Sequence, residues 1–222
     1  MNKQRTNAIL TGYSLILMAV VAGFSIGYVF PKFFDVKQHV ITLMNLQENM
    51  QLYTSMLIGI VVVIILDILV SWTIYQFFKH DNKKVALISF VLRILYSAIF
   101  GVATYFLIAN LQQVNDNELL NRNFNSFEAA WTLGLIVFGF HLLAVGILMK
   151  AHRNIPKALW ILALIAGGSY VLVHILKLAF PQLSGFTETL SNVLALPMAF
   201  GELSLAIWLI IKGGKLKSVK KA

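Results

Sequence analysis

The chain alternates six long apolar stretches with shorter polar segments. The apolar stretches cover residues 8–30, 56–78, 85–109, 127–149, 158–180 and 190–211. Each holds roughly 22–25 residues, or about 33–37 Å of helix at 1.5 Å per residue. That is enough to cross a hydrocarbon core about 30 Å thick with some tilt. Backbone polar groups find no water in lipid, so each stretch is expected to close its hydrogen bonds internally as an α-helix. The pattern predicts an all-α integral membrane protein: a six-transmembrane-helix bundle forming one membrane domain over 1–222. The first stretch is expected to be retained, because its apolar run outlasts the roughly 7–15 residues of a signal peptide and no polar cleavage region follows.

Composition sharpens this picture. Hydrophobic residues make up 59% and charged residues 12% of the chain, against roughly 45–50% and about 25% in soluble domains. Mean hydropathy is +0.79. So little charge could not cover a water-soluble globule. The absence of cysteine removes disulfides, thiolate metal sites and thiol catalysis together. Walker A, GxGxxG, HExxH and GxSxG patterns are also missing. No cofactor and no metal site are predicted.

The net charge of +9 would point to nucleic acid in a soluble protein, but its distribution points elsewhere. With the N-terminus inside, the inner segments hold Lys3, Arg5, Lys79, Lys83, Lys84, Lys150, Arg153, Lys157, Lys212, Lys215, Lys217, Lys220 and Lys221, opposed by Asp81 alone. The outer segments hold Lys32, Lys37, Arg122 and Lys177 with six acids: Asp35, Glu48, Asp116, Glu118, Glu128 and Glu188. Thirteen basic residues against four is a positive-inside pattern. It predicts a multi-pass protein of the plasma membrane with both termini cytoplasmic. The lipid bilayer is the expected partner, nucleic acid is not, and oligomeric state is open.

Short inner turns near 80–84 and 151–157 predict two antiparallel helix hairpins, and Pro156 stands where a fifth helix begins. In the outer segment 31–51, Val36, Val40, Leu43 and Met44 recur at helical spacing. This predicts an interfacial helix or an outward extension of the second spanning helix. The Asn-rich segment 111–126 reads as irregular. Ala19, Gly23 and Gly27 form a small-residue stripe suited to close helix packing, with Gly101, Gly134, Gly167 and Gly168 as further contact candidates. Pro197 should kink the sixth helix and free the Val193 carbonyl.

Ionisable residues deep in the apolar stretches are the candidate chemistry, being rare and costly there. Asp67, Arg93, His141 and Glu202 lie roughly 12–17 Å from the inner boundary, at one level near the midplane. Ser71 is one turn from Asp67, and Tyr96 and Ser97 are one turn from Arg93, on the same faces. Arg93 can hold a carboxylate in a bidentate fork, yet two carboxylates face one guanidinium. With His141 neutral, the cluster must take up a proton, charge the histidine or bind a cation. The plainer reading is an ion pair that ties helices together. Lys177 is expected to snorkel to the interface, and His174 to be a satisfied interfacial histidine. A haem between His141 and His174 is disfavoured by their separation in depth.

Four segments carry a resemblance to a known family: DILVSWTIYQFF from Asp67, FVLRILYSAIFG from Phe90, GFHLLAVGILMKAHRNIPKALWILALIAGGSY from Gly139, and GELSLAIWLIIKG from Gly201. Together they resemble the bacterial membrane family called domain of unknown function 4386, in order and over nearly the whole chain. The resemblance implies a six-helix integral membrane protein, and it implies that Asp67, Arg93, His141 and Glu202 are motif positions. Three functional readings follow. The first is a small-solute or proton-linked carrier or sensor using the midplane cluster. The second is a membrane-embedded lipid-acting enzyme, with Asp67, His141 and Glu202 as the candidate metal ligands, although no close-spaced ligand pair supports a metal. The third is a structural or interaction protein whose cluster is helix glue.

Overall fold

The computed structural model describes residues 2–36, 40–41 and 46–215. Six long helices dominate: α1 (Lys3–Ala22), α2 (Met50–Phe78), α3 (Lys83–Ala109), α4 (Asn117–Ala151), α5 (Lys157–Ala179) and α6 (Ser184–Ile211). All six are long and apolar enough to cross a membrane. Their N-terminal N–H groups are capped where the sequence supplies an Asx residue. The side chains of Asn2, Asn82 and Asp116 accept from the backbone N–H of Arg5, Val85 and Leu119 at 2.7, 3.2 and 3.0 Å.

Each helix packs on the next in sequence, and α6 returns to α1, closing a ring. Arg5 makes that closure specific. Its guanidinium donates to the carbonyls of Leu209 (2.9 Å), Ile210 (2.5 Å) and Gly213 (2.8 Å), the end of α6. The Leu209 carbonyl also accepts from the Gly213 N–H at 3.1 Å, but intrahelical donors run out over this last turn, and a cation there also meets the negative end of the helix dipole. Gly214 follows with φ +65°, and a Cβ there would collide with the Arg5 backbone. The turns after α2 and α4 sit at this same end, joined by His152 Nδ1 and Asp81 Oδ2 at 2.9 Å. Midway along the α1–α2 contact, Thr11 and Thr73 share a buried hydroxyl–hydroxyl bond of 2.7 Å.

Three expectations change. The segment 31–51 contains no interfacial helix among its described residues. After α1 comes a seven-residue π-helical stretch, Gly23–Val29, then a 3₁₀ turn, Phe30–Lys32. Strands β1 (Phe34–Asp35) and β2 (Val40–Ile41) then pair antiparallel, with Phe34 opposite Ile41. Leu43 and Met44 lie outside the described residues. Aromatic burial decides this conformation: Phe34 stacks on Phe124 at 5.1 Å, Phe30 meets Phe127 at 5.1 Å, and Phe33 meets Tyr53 edge-on at 5.2 Å. Helix α2 does start early, at Met50.

Secondly, the Asn-rich segment is mostly helical, since α4 begins at Asn117. Asp116 caps it, and Leu120, Phe124 and Phe127 are all buried on one face. That burial outweighs the modest helix propensity of asparagine. Thirdly, the Ala19–Gly23–Gly27 stripe faces outward, and a Cβ at Gly23 or Gly27 would meet nothing within 4 Å. Gly101 and Gly168 are equally open. The close crossings lie elsewhere. A Cβ on Gly139 would reach the Gly167 carbonyl at 2.8 Å and the converse contact is also 2.8 Å, while one on Gly201 would strike Ala166. These glycines draw α4, α5 and α6 together beside the midplane residues.

Candidate functional site

Asp67 lies eleven residues before the end of α2 and Arg93 ten after the start of α3. His141 lies ten before the end of α4 and Glu202 nine before the end of α6. Equal depth on four helices of one bundle brings them into contact. Arg93, 0% exposed, is the hub. Its Nε donates to Asp67 Oδ1 at 2.8 Å, with Nη2 2.7 Å from the same oxygen. Nη1 donates to Glu202 Oε1 at 2.5 Å, and Nη2 to Oε2 at 3.4 Å. Nη1 also lies 3.0 Å from His141 Nε2. The five N–H bonds of a guanidinium are matched by these five contacts.

The arrangement defines the imidazole as well. A guanidinium can only donate, so His141 Nε2 accepts and the ring proton sits on Nδ1. Nδ1 in turn donates to the Ser89 carbonyl at 2.9 Å and lies 3.1 Å from Ser89 Oγ. Glu202 Oε1 is 3.7 Å from Nε2. One acceptor is left over: Asp67 Oδ2 is buried and has no hydrogen-bond partner. The two carboxylates also differ in access, Asp67 being 1% and Glu202 15% exposed.

The accompanying residues are buried but play another part. Ser71 Oγ donates to the Ile68 carbonyl at 2.7 Å and Ser97 Oγ to the Arg93 carbonyl at 2.9 Å. Tyr96 packs against Phe100 and Phe138. Their described hydrogen bonds do not reach the ionisable side chains. Ser89 was missed, although it stands one turn before Arg93 and the same spacing rule would have found it. Phe138 was missed too: it stacks on His141 at 5.8 Å and lies 5.6 Å from the Arg93 guanidinium.

At the end of the bundle away from the termini is a second polar group. Lys177 pairs with Glu128, whose side chain is almost fully buried, so this lysine is held as an ion pair and does more than snorkel. His174 Nδ1 donates to the Tyr170 carbonyl at 2.8 Å and its ring stacks on Tyr170 at 5.7 Å. Tyr170 meets Phe138 edge-on at 5.2 Å. A column of rings, His174–Tyr170–Phe138–His141, therefore runs from this far end to the midplane cluster. At the same end, where α2 begins and α3 finishes, Tyr53 Oη donates to the Leu107 carbonyl at 2.7 Å and accepts from Asn110 at 3.2 Å.

Asp67, His141 and Glu202 converge on a guanidinium, which takes the place a cation would need. Among the described residues no group of three His, Asp or Glu side chains is poised to hold a metal ion.

Comparison with known proteins agrees with this architecture without adding an activity. An uncharacterized protein of Archaeoglobus fulgidus is 31% identical over 180 residues, covering 81% of this chain and 94% of that protein. That relative is archaeal, so bacterial origin does not follow from the similarity. No solved structure matches the chain. The family profile of Domain of unknown function (DUF4386) matches residues 10–213, nearly all of the sequence, and the chain belongs to that family.

Proposed function

We propose that this is a multi-pass protein of the cell membrane, both termini cytoplasmic, whose Arg93 cluster is the proton-responsive site of a small-solute carrier or sensor. The orientation is supported by the charge count. Thirteen of the eighteen basic residues belong, in the sequence, to the two termini and the two turns on their side, four to the segments between the other helix ends, and the last is Arg93 itself.

One observation carries the proton reading: a single guanidinium serves two carboxylates while Asp67 Oδ2 is buried without a donor. In a low-dielectric interior the surplus negative charge is costly, and one added proton removes it. Glu202 is the acid that solvent reaches first, being the more exposed and lying on the continuous helix that carries Pro197, and the donorless Oδ2 of Asp67 is the alternative site. An ionised Glu202 draws α6 onto α3, and a protonated one loosens that grip. Proton uptake thereby becomes movement of α6 about Pro197.

The test is infrared difference spectroscopy between pH 5 and pH 9. A titrating carboxyl band should appear in the wild type and vanish in Glu202→Gln. An unchanged band in that variant assigns the proton to Asp67. No titrating carboxyl or imidazole at all leaves the cluster as helix fastening, a reading favoured by how completely the guanidinium is paired. Orientation is tested separately, in a chain free of cysteine. Single cysteines at Asn115 and Lys217 should react from outside and inside the cell respectively, and outside labelling at Lys217 would overturn it.

A further inference from the structure

The far-end group opens into a cavity of about 610 Å³ between α4, α5 and α6, within the size range of small-molecule sites. Glu128 and Thr132 line it from α4, His174 and Lys177 from α5, Thr187 and Asn192 from α6. Thr187 is the informative residue. It is only 6% exposed, yet its Oγ1 has no hydrogen-bond partner. A hydroxyl buried without a partner is costly and calls for a guest that bonds to it. His174 adds a directed group, because Nδ1 is committed to the Tyr170 carbonyl and Nε2 remains to accept.

We propose that this vestibule binds a small zwitterion of the amino-acid class, one carrying an ammonium and a carboxylate. The reason is the Glu128–Lys177 pair on its wall, the remaining acid of the lining, Glu188, being exposed to solvent. A net-charged solute would face one of these groups as a like charge, beside a low-dielectric interior. A zwitterion places its ammonium at Glu128 and its carboxylate at Lys177, so every charge keeps a partner and net charge is unchanged. The hydroxyls of Thr132 and Thr187 and the amide of Asn192 then bond the rest of the solute. The binding site stands on the vestibule alone. Only its link to transport or sensing rests on the reading of the midplane cluster.

Isothermal titration of the full chain in lipid nanodiscs tests this with L-serine and L-glutamine as zwitterions, ethanolamine as cation, glycolate as anion and glycerol as neutral polyol. At least one amino acid should bind saturably, and the other three classes should bind at least about tenfold more weakly. Thr187→Val should weaken binding about fivefold or more by removing the unpaired hydroxyl. Ala129→Phe provides a second variant at an exposed position on the cavity wall and should block binding without disturbing the core. Absence of saturable amino-acid binding, equal binding of glycerol, or indifference to both variants would overturn the proposal. Such a result would leave the infrared titration untouched, since that measurement needs no solute.

Discussion

Helix α4 carries two charged centres about three and a half turns apart, one around His141 and one at Glu128, and they are built differently. At the midplane a fully buried guanidinium on α3 is fixed by two acids and an imidazole drawn from α2, α6 and α4. At the far end a single lysine, 37% exposed, pairs directly with one buried carboxylate on the wall of an open cavity. The first centre cannot lose its guanidinium, or both of its acids, without stranding charge in an apolar interior. The second can exchange a protein partner for a solute or for water. Burial, rather than the identity of the charged groups, separates a fastening that can also hold a proton from a surface that can bind and release.

The largest expected effect comes from removing the hub. Arg93→Ala should destabilise the protein by about 3–5 kcal/mol, the cost of stranding buried partner charges, measured by denaturant unfolding in detergent. Loss of under about 1 kcal/mol, typical of an exposed pair, would erase the contrast. A double-mutant cycle on the acids sharpens it. With one acid in surplus, Asp67→Asn and Glu202→Gln should each cost about 1 kcal/mol or less, because the other acid still balances Arg93. The double variant should cost about 3–5 kcal/mol, as an uncompensated buried charge. Additive losses would mean that both acids are ionised and needed. The smallest effect belongs to the far end: Lys177→Met should change stability by no more than about 1 kcal/mol, read in the same assay. A loss as large as that of Arg93→Ala would make the vestibule pair structural.

The midplane cluster was legible in the sequence because helix rise is fixed. Counting residues from a charged turn gives depth, and four ionisable residues at one depth must meet if their helices pack. Rotation about the helix axis is not legible in that way. Gly23 and Gly27, in the π-helical stretch after α1, face away from the bundle, because the choice of face depends on neighbours the sequence does not name. Glu128 counts as an outer acid when the apolar stretch alone, which starts at Phe127, marks the helix. The cap at Asp116 and the buried Leu120 and Phe124 extend the helix upstream and put Glu128 on an inward face. The aromatic column from His174 to His141 was invisible for a related reason: phenylalanine and tyrosine are ordinary in lipid-facing positions, and only contacts distinguish a column from a coating.

The clasp of Arg5 on the end of α6 also has a consequence for how the protein is made. Translation delivers α1 first and α6 last, so the ring stays open until the final helix emerges. Asp67 and Arg93 arrive together on one hairpin, a balanced pair that can enter the bilayer as a neutral unit. A chain ended before Ser184 should therefore still insert its first five helices, as a glycosylation-site or protease-protection assay would show; failure of α2 and α3 to insert would count against a self-sufficient hairpin. Glu202 comes only with the last helix. The surplus charge, and whatever responsiveness it confers, enters the membrane at the moment the ring closes.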